Sequence, residues 1–341
     1  GPPAFTAAAC SYEELHAWLA APHAAAGGPA EAGTDDVDMY VVGFQEFVDL
    51  DAKALLREAT DMHVARRREC QARLGAAIAR KHGGVSYVAV RAEQMVGVLL
   101  LVFVRPQLAA EIKHLHVDTV KTGFGGNAGN KGGVAVRVRV GTAELCFINS
   151  HLAAGSKHCE ERNNDHAEIL RGLAESFDGA RAGPFPPPCA HDLLVWLGDL
   201  NYRLEGVSND EVRATIARGQ WARLVAHDQL RKQRAAAGAF VGFEEAPLTF
   251  APTYKYDAGT NTYDSSEKQR VPSWTDRVLW GGLAASGVTV VAYVSCQRVL
   301  CSDHKPVVAL LRFQPPEAAG ASPVEGLPAG GAARQGCAAS M

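Results

Sequence analysis

The chain has 341 residues, of which 47% are hydrophobic and 21% charged, with a formal net charge of −3. That is enough apolar sequence for a large core, and too little positive charge for a bulk field that draws nucleic acid or acidic membrane, so any attraction to an anion must come from a local patch. No apolar run reaches the roughly 20 residues of a membrane-spanning helix, and no secretory signal is visible; with eight irregularly spaced cysteines, free thiols in a reducing cytosol are expected.

In chain order, the Ala/Gly/Pro-rich stretch Ala21 to Asp36 is expected to be poorly ordered. Met39-Tyr-Val-Val reads as a short strand that runs into Gly43-Phe-Gln-Glu46 and delivers a carboxylate at its end. Hard cations such as Mg2+ need only one or two carboxylates besides water, so Glu46 is a candidate metal ligand; a solvated helix-start Glu reads as well from these residues alone. Asp51 to Lys81 is the strongest helix, with Leu55, Leu56, Met62, Val64, Leu74 and Ile78 among charges and Gly83-Gly84 as its stop. Val96 to Val104 reads as a strand. The glycine-rich Lys121 to Gly133 segment lacks a Gly-Lys-Ser/Thr and is followed by strand pattern, so it is no P-loop. It is expected to be a loop between two strands, with Asn130 and Lys131 supporting a site, or else a tight hairpin. Val134 to Val140 alternates apolar and basic residues, as a strand with one wet face does.

Leu145-Cys-Phe-Ile is a further strand, ending in Asn149-Ser-His-Leu152, and a His leaving a strand end can donate to a phosphate oxygen. Glu160 to Phe177 reads as a helix with Ile169, Leu170 and Leu173 on one face, and Asp178 to Ala190 as poorly ordered. Asp192 to Leu197 is a buried-type strand that enters Gly198-Asp-Leu-Asn-Tyr-Arg203. If the extended conformation persisted, Asp199, Asn201 and Arg203 would share a side and could converge on one anion; a capped turn with a surface Arg is the alternative. Pro252-Thr-Tyr-Lys-Tyr-Asp257 and the following Lys268 and Arg270 form a basic loop able to grip a phosphate, the Arg as a bidentate fork. Asp276, in Pro272-Ser-Trp-Thr-Asp-Arg277, and His304, in Ser302-Asp-His304, are a candidate carboxylate–imidazole pair, which fixes a tautomer and favours the charged ring. The chain from Pro315 on is expected to be a disordered tail. Because chemistry-bearing segments are scattered from Glu46 to His304, one domain rather than two is expected.

With these segments in this order, the chain resembles the inositol polyphosphate 5-phosphatases of the endonuclease/exonuclease/phosphatase superfamily, in their synaptojanin/type II-like form, from about Asp38 to about Phe313. Trp196-Leu-Gly-Asp-Leu-Asn-Tyr-Arg203, Asn149-Ser-His-Leu-Ala-Ala154, Pro252-Thr-Tyr-Lys-Tyr-Asp257, Pro272-Ser-Trp-Thr-Asp-Arg277 and Ser302-Asp-His-Lys-Pro-Val307 carry the resemblance. It implies an α+β fold, a four-layer α/β/β/α sandwich of two mixed β-sheets (DNase I-like). It implies a lead-in over 1–37, a catalytic domain over 38–314 and a tail over 315–341.

The resemblance further implies a Mg2+-dependent enzyme that hydrolyses the 5-phosphate of phosphatidylinositol 4,5-bisphosphate, related phosphoinositides or soluble inositol polyphosphates through an activated water. Glu46 would bind the metal and Asp303 complete its site; His151 would contact the scissile phosphate, Asp199 activate water and Asn201 stabilise the phosphorus oxygens. Asp276 would orient His304 toward the phosphate. Tyr254, Lys255, Lys268 and Arg270 match contacts to the 4-phosphate, and Arg162, Asn163 and Asp165 a supporting network. Contact with a membrane would be peripheral and the location cytoplasmic, with no nucleic acid bound. The family's Thr-Trp-Asn-x-x-Gly strand, whose Asn helps hold the metal, has no counterpart, since no asparagine precedes Asn127. The chain therefore reads as a fragment, and two alternatives follow: a catalytically impaired phosphoinositide-binding module, or a nuclease of the same superfamily.

Overall fold

Alternation within the apolar strands decides how the layers stack. The computed structural model describes residues 10–25, 37–48, 59–122, 131–176 and 188–315. Helix α1 (Tyr12–Ala25) is followed by β1 (Met39–Phe44), helix α2 (Ala59–Lys81), the hairpin β2 (Val88–Met95) and β3 (Val98–Val104), and the one-turn helix α3 (Pro106–Ala109). Then come β4 (Ile112–Lys121), β5 (Gly132–Val140), β6 (Ala143–His151), helix α4 (Cys159–Glu175), β7 (Leu193–Asp199), helices α5 (Asn209–Ala217) and α6 (Gln229–Ala235), β8 (Asp276–Gly281), β9 (Val288–Ser295) and β10 (Val307–Phe313).

The strands form a five-stranded sheet in the order β4-β5-β6-β7-β8, a three-stranded sheet β1-β3-β2, and a β10-β9 ribbon. β6 and β7 are parallel and every other pair is antiparallel, so the mixed character lies in the five-stranded sheet. All of β3 is buried. Val98, Leu100, Val102 and Val104 pack between the sheets with Val134, Val136 and Val138, whereas Leu99, Leu101 and Phe103 face Leu15 of α1 and Leu74 and Ile78 of α2. On the far side, Ile148, Leu194 and Trp196 of the five-stranded sheet pack under Ile169 and Leu173 of α4. Each such apolar side chain contributes roughly 1.5–3 kcal/mol relative to exposure, so β3, covered on both faces, anchors the expected sandwich.

Several details depart from the sequence reading. Helix α1 continues to Ala25, so the expected disorder from Ala21 does not hold there; Leu15, Trp18 and Leu19 give it a face to bury. Residues 26–36, 51–58, 178–187 and 316–341, on which the other readings of disorder and the start of the long helix fall, lie outside the described residues. Val96 belongs to the β2–β3 turn, where its φ is 49°, and β3 begins at Val98. Gly84 ends α2 as expected, its N–H closing on the Ala79 carbonyl at 2.8 Å.

Arg137 of β5 is not on a wet face. It is fully buried, donating Nη2 to the Leu173 carbonyl at 2.9 Å and facing Asp118 Oδ2 at 3.2 Å, because α4 covers that side. The expectation of free thiols fails at Cys10 and Cys301, which are joined in a disulfide. Among the described residues, no helix is long and apolar enough to cross a membrane.

Candidate active site

Strand register places the first three chemical groups. β6 and β7 run parallel, so both deliver their last residues to one sheet edge, with His151 paired to Asp199. β8 starts from that edge, with Asp276 opposite Asp199. His151, Asp199 and Asp276 therefore form one row across three strands. Gly198 permits the row's tight approach: its φ is +133°, and a Cβ there would sit 2.1 Å from the Ser150 carbonyl oxygen.

Residues from elsewhere in the chain complete a cleft of about 340 Å3, lined among others by Trp18, Glu46, Asn201, Arg203, Tyr254, Lys255, Asp303 and His304. Glu46 comes from the other sheet, just beyond β1, and takes a left-handed φ of 52°. Asn149 ties the two sheets together at this point. Its Nδ2 donates to the Phe44 carbonyl at 3.1 Å and the Leu99 carbonyl at 2.8 Å, and its Oδ1 accepts from Gln45 Nε2 at 2.6 Å. Gly43 leaves room for that amide, since a Cβ would lie 2.6 Å from it.

The charges at the cleft are sorted. His304 Nδ1 meets Asp276 Oδ2 at 3.0 Å, and that carboxylate oxygen also accepts from the Thr253 and Thr275 hydroxyls at 2.7 and 2.9 Å. Burial works against a charged His304, but Asp276, with help from Asp199 and Asp303, raises its pKa to about 9. For Asp199, burial works against ionisation, yet the His151 hydrogen bond and the charges of His151, His304 and Lys131 hold it well below the usual carboxylate range. His151 is pushed down by burial and by Lys131, against the opposing pull of Asp199 and Glu46. Its Nε2 lies within reach of both Lys131 Nζ and Asp199 Oδ2, the latter at 3.3 Å, and its buried Nδ1 has no partner. Burial also lowers Lys131, to about 8.

The structure thus gathers Glu46, His151, Asp199, Asn201, Tyr254, Lys255, Asp276, Asp303 and His304 at one cleft, with Lys131 beside His151. The extended conformation does not persist beyond Asp199. Asn201 has a φ of 57°, and the convergence of Asp199, Asn201 and Arg203 arises instead from a turn in which Asp199 Oδ1 accepts the Asn201 N–H at 3.0 Å. The Asn201 amide is already engaged: Nδ2 donates to Asp199 Oδ2 and to the Leu152 carbonyl, both at 3.1 Å, which leaves it no hydrogen for a phosphorus oxygen.

Lys268 and Arg270 are not among the residues that line the cleft; Lys268 is exposed and Arg270 is turned to Asp264 at 3.4 Å. Asn130 lies outside the described residues. Arg162 donates to the Ala153 and Gly155 carbonyls, Asp165 accepts the Ala153 N–H, and Asn163 accepts the Tyr202 hydroxyl, so these three brace the turn after His151 and the Asp199 loop. Sequence reading missed Asn149, Gln45, Thr253 and Thr275 as supports, and Trp18 as a wall of the cleft.

The donors present suit a hydrated hard cation. Among the described residues Glu46 has no hydrogen-bond or ion-pair partner, while Asp303 has one oxygen, Oδ2, on Lys255 Nζ at 2.5 Å. One or two such carboxylates, with waters and a phosphate oxygen, are what Mg2+ takes.

The chain is 39% identical over 281 residues to synaptojanin of Caenorhabditis elegans, covering 81% of this chain and 23% of that protein. It is 40% identical over 273 residues to the type II inositol 1,4,5-trisphosphate 5-phosphatase of Mus musculus, covering 79% and 26%. It therefore spans about a quarter of the length of either relative. Among solved structures, the inositol polyphosphate 5-phosphatase domain of SPsynaptojanin, in complex with inositol (1,4)-bisphosphate and calcium ion, superposes with a TM-score of 0.68 at 37% identity, covering 81% of this chain and 76% of that one. The model of Endonuclease/Exonuclease/phosphatase family 2 matches residues 6–310, and the chain belongs to that family.

Proposed function

We propose that this chain is a divalent-cation-dependent phosphatase that removes the 5-phosphate of phosphatidylinositol 4,5-bisphosphate and related phosphoinositides or inositol polyphosphates, by direct attack of water. The observation that carries this reading is the row of His151, Asp199 and Asp276 set by strand register, with an ionised Asp199 facing a cationic His304. Phosphoryl transfer places nucleophile and leaving group in line and spreads charge over the phosphoryl oxygens, so catalysis is mostly positioning and electrostatics.

In this reading Asp199, held well below the usual carboxylate range, orients the water and accepts its proton as the new P–O bond forms and the bond to the inositol 5-oxygen breaks, the departing oxygen taking up a proton to leave as a hydroxyl. His304, held by Asp276, presents positive charge to the phosphoryl oxygens. His151 lines the same cleft and is the second polar contact this reading assigns to them, through the part of its ring other than the buried Nδ1. Asn201 fixes Asp199, and Tyr254 and Lys255 border the space for a neighbouring phosphate. Glu46, with Asp303, would hold Mg2+, which when bound polarises the phosphoryl oxygen and neutralises its charge. Lipid substrate would require only peripheral membrane contact at the edge of the sandwich that carries the cleft; Leu108 of α3 follows the end of β3 remote from Leu99 and Glu46 and is not placed to make it.

The test is phosphate release from phosphatidylinositol 4,5-bisphosphate with Mg2+ or with EDTA. Turnover that requires Mg2+ and falls by a factor on the order of 10² to 10⁴ in Asp199→Ala is the expected result. Headgroup binding without turnover, unchanged in the variant, would leave the chain a binding module.

A further inference from the structure

Two cations that line the cleft have no carboxylate: Lys305, whose Nζ donates to the Thr260 and Val299 carbonyls, and Arg203. His304 faces Asp276, Lys255 faces Asp303, and Arg277 faces Asp228 and Glu245. Arg203 lines the same cleft and is only 9% exposed, yet among the described residues it forms no ion pair. A guanidinium so enclosed is costly unless an anion completes its surroundings.

Its fixed contacts show what that anion would be coupled to. Nε donates to the Asn201 carbonyl at 3.1 Å and Nη2 to Asn201 Oδ1 at 2.5 Å. With Oδ1 taken by the guanidinium, the amide can only turn Nδ2 toward Asp199 and Leu152, the orientation seen. The guanidinium carbon also lies 4.4 Å from the centre of the Tyr254 ring, which stacks on the His304 ring at 4.4 Å. Nη1 has no hydrogen-bond partner among the described residues and is not sealed from solvent. One side of the fork therefore grips Asn201, while Nη1, on a residue that lines the cleft, is left without a partner.

We propose that Arg203 couples phosphate binding to the posture of Asp199: its open edge takes an oxygen of the phosphate anion, and its inner edge holds Asn201 and, through it, the carboxylate. The inference rests on the phosphatase reading above and assigns to Arg203 the phosphate contact for which the Asn201 amide has no free hydrogen. Charge and shape do separate jobs here. Lysine supplies the charge but lacks the planar fork, and glutamine lacks the charge altogether.

Steady-state kinetics on phosphatidylinositol 4,5-bisphosphate, with inorganic phosphate as competing probe, separates the two. Arg203→Gln should raise KM and the inhibition constant of phosphate about tenfold or more and lower kcat by a similar factor. Arg203→Lys should keep KM within about threefold of wild type while kcat falls as in the Gln variant. Wild-type kcat and KM in both variants would overturn the proposal.

A titration of the wild-type chain with inorganic phosphate, followed at the Arg203 Nε–H resonance, needs neither turnover nor a folded variant. A saturable shift supports the contact, and none at saturating phosphate overturns it. If the wild-type chain releases no phosphate from the lipid, the phosphatase reading fails, and the titration still decides Arg203.

Discussion

Two histidines of this protein share an aromatic neighbourhood and differ in charge, one neutral and the other cationic. His166 of α4 lies against Phe240, with ring centres 4.0 Å apart, and against Trp196 at 5.0 Å. His304 lies against Tyr254 at 4.4 Å. Burial alone pushes His166 down to about 3, whereas Asp276 and its neighbours carry His304 up to about 9. What separates the two regions is a carboxylate. The first is a core in which an imidazole serves as a flat apolar filler; the second is a cleft in which the same ring is kept as a cation.

The sharpest way to break the contrast is to remove that carboxylate. Asp276→Asn retains the shape but not the charge, and the Thr253 and Thr275 hydroxyls that converge on it remain. Turnover of phosphatidylinositol 4,5-bisphosphate should fall by a factor on the order of 10³ while KM changes much less, because the charge lost is one the transition state uses. A raised KM with kcat unchanged would place Asp276 in ground-state binding instead.

The second test separates the regions mechanically. Cys10–Cys301 and Glu14, whose Oε1 accepts the Leu300 and Cys301 N–H groups at 2.8 and 3.1 Å, fasten α1 to the segment that carries Asp303 and His304. Reduction, or Cys301→Ser, should cost about 2–4 kcal/mol of stability, the usual worth of a native disulfide. Hydrogen exchange should quicken over 299–304 and in α1 while α4 around His166 is unaffected. Uniform quickening would show that the two regions open together.

A third test acts on the core. His166 has its ordinary value of 6.5 when unfolded and about 3 when folded, so as pH falls the unfolded chain takes the proton first. Stability is complete above about 6.5 and is lost on going from there toward 3 by about 1.4 kcal/mol per pH unit from this group. In urea titrations His166→Phe should flatten that part of the acid limb relative to wild type. Unchanged slopes would mean that His166 finds a proton acceptor on folding.

How much of this was legible in the sequence follows from where each residue's partner lies. The runs feeding β1, β6 and β7 could be read because apolar stretches there end abruptly in Glu46, His151 and Asp199. The pairing of Asp276 with His304 was also readable, from residue chemistry. Helix α1 was not, because its alanines and Pro22 resemble a linker until Leu15 and Trp18 meet β1 and β3. β9 and β10 give no clean period, since β9 mixes exposed Thr289 and Val291 with buried Ala292 and Tyr293 and most of β10 is half-buried on both faces. Lys268 and Arg270 were matched to a phosphate contact by the resemblance and by their place in the basic loop, but neither lines the cleft and Arg270 faces Asp264. Arg137 was read as wet because alternation reports a face without saying what covers it.

The Asn149 amide has a consequence for the order of events in folding. Its three hydrogen bonds join β6 to residues 44, 45 and 99, partners 50 to 105 positions away. Such long loops close late and slowly. Glu46 therefore reaches the cleft only after the two sheets have docked: the five-stranded sheet alone carries the row of His151, Asp199 and Asp276, and it gains its facing carboxylate from β1 only when the sandwich shuts.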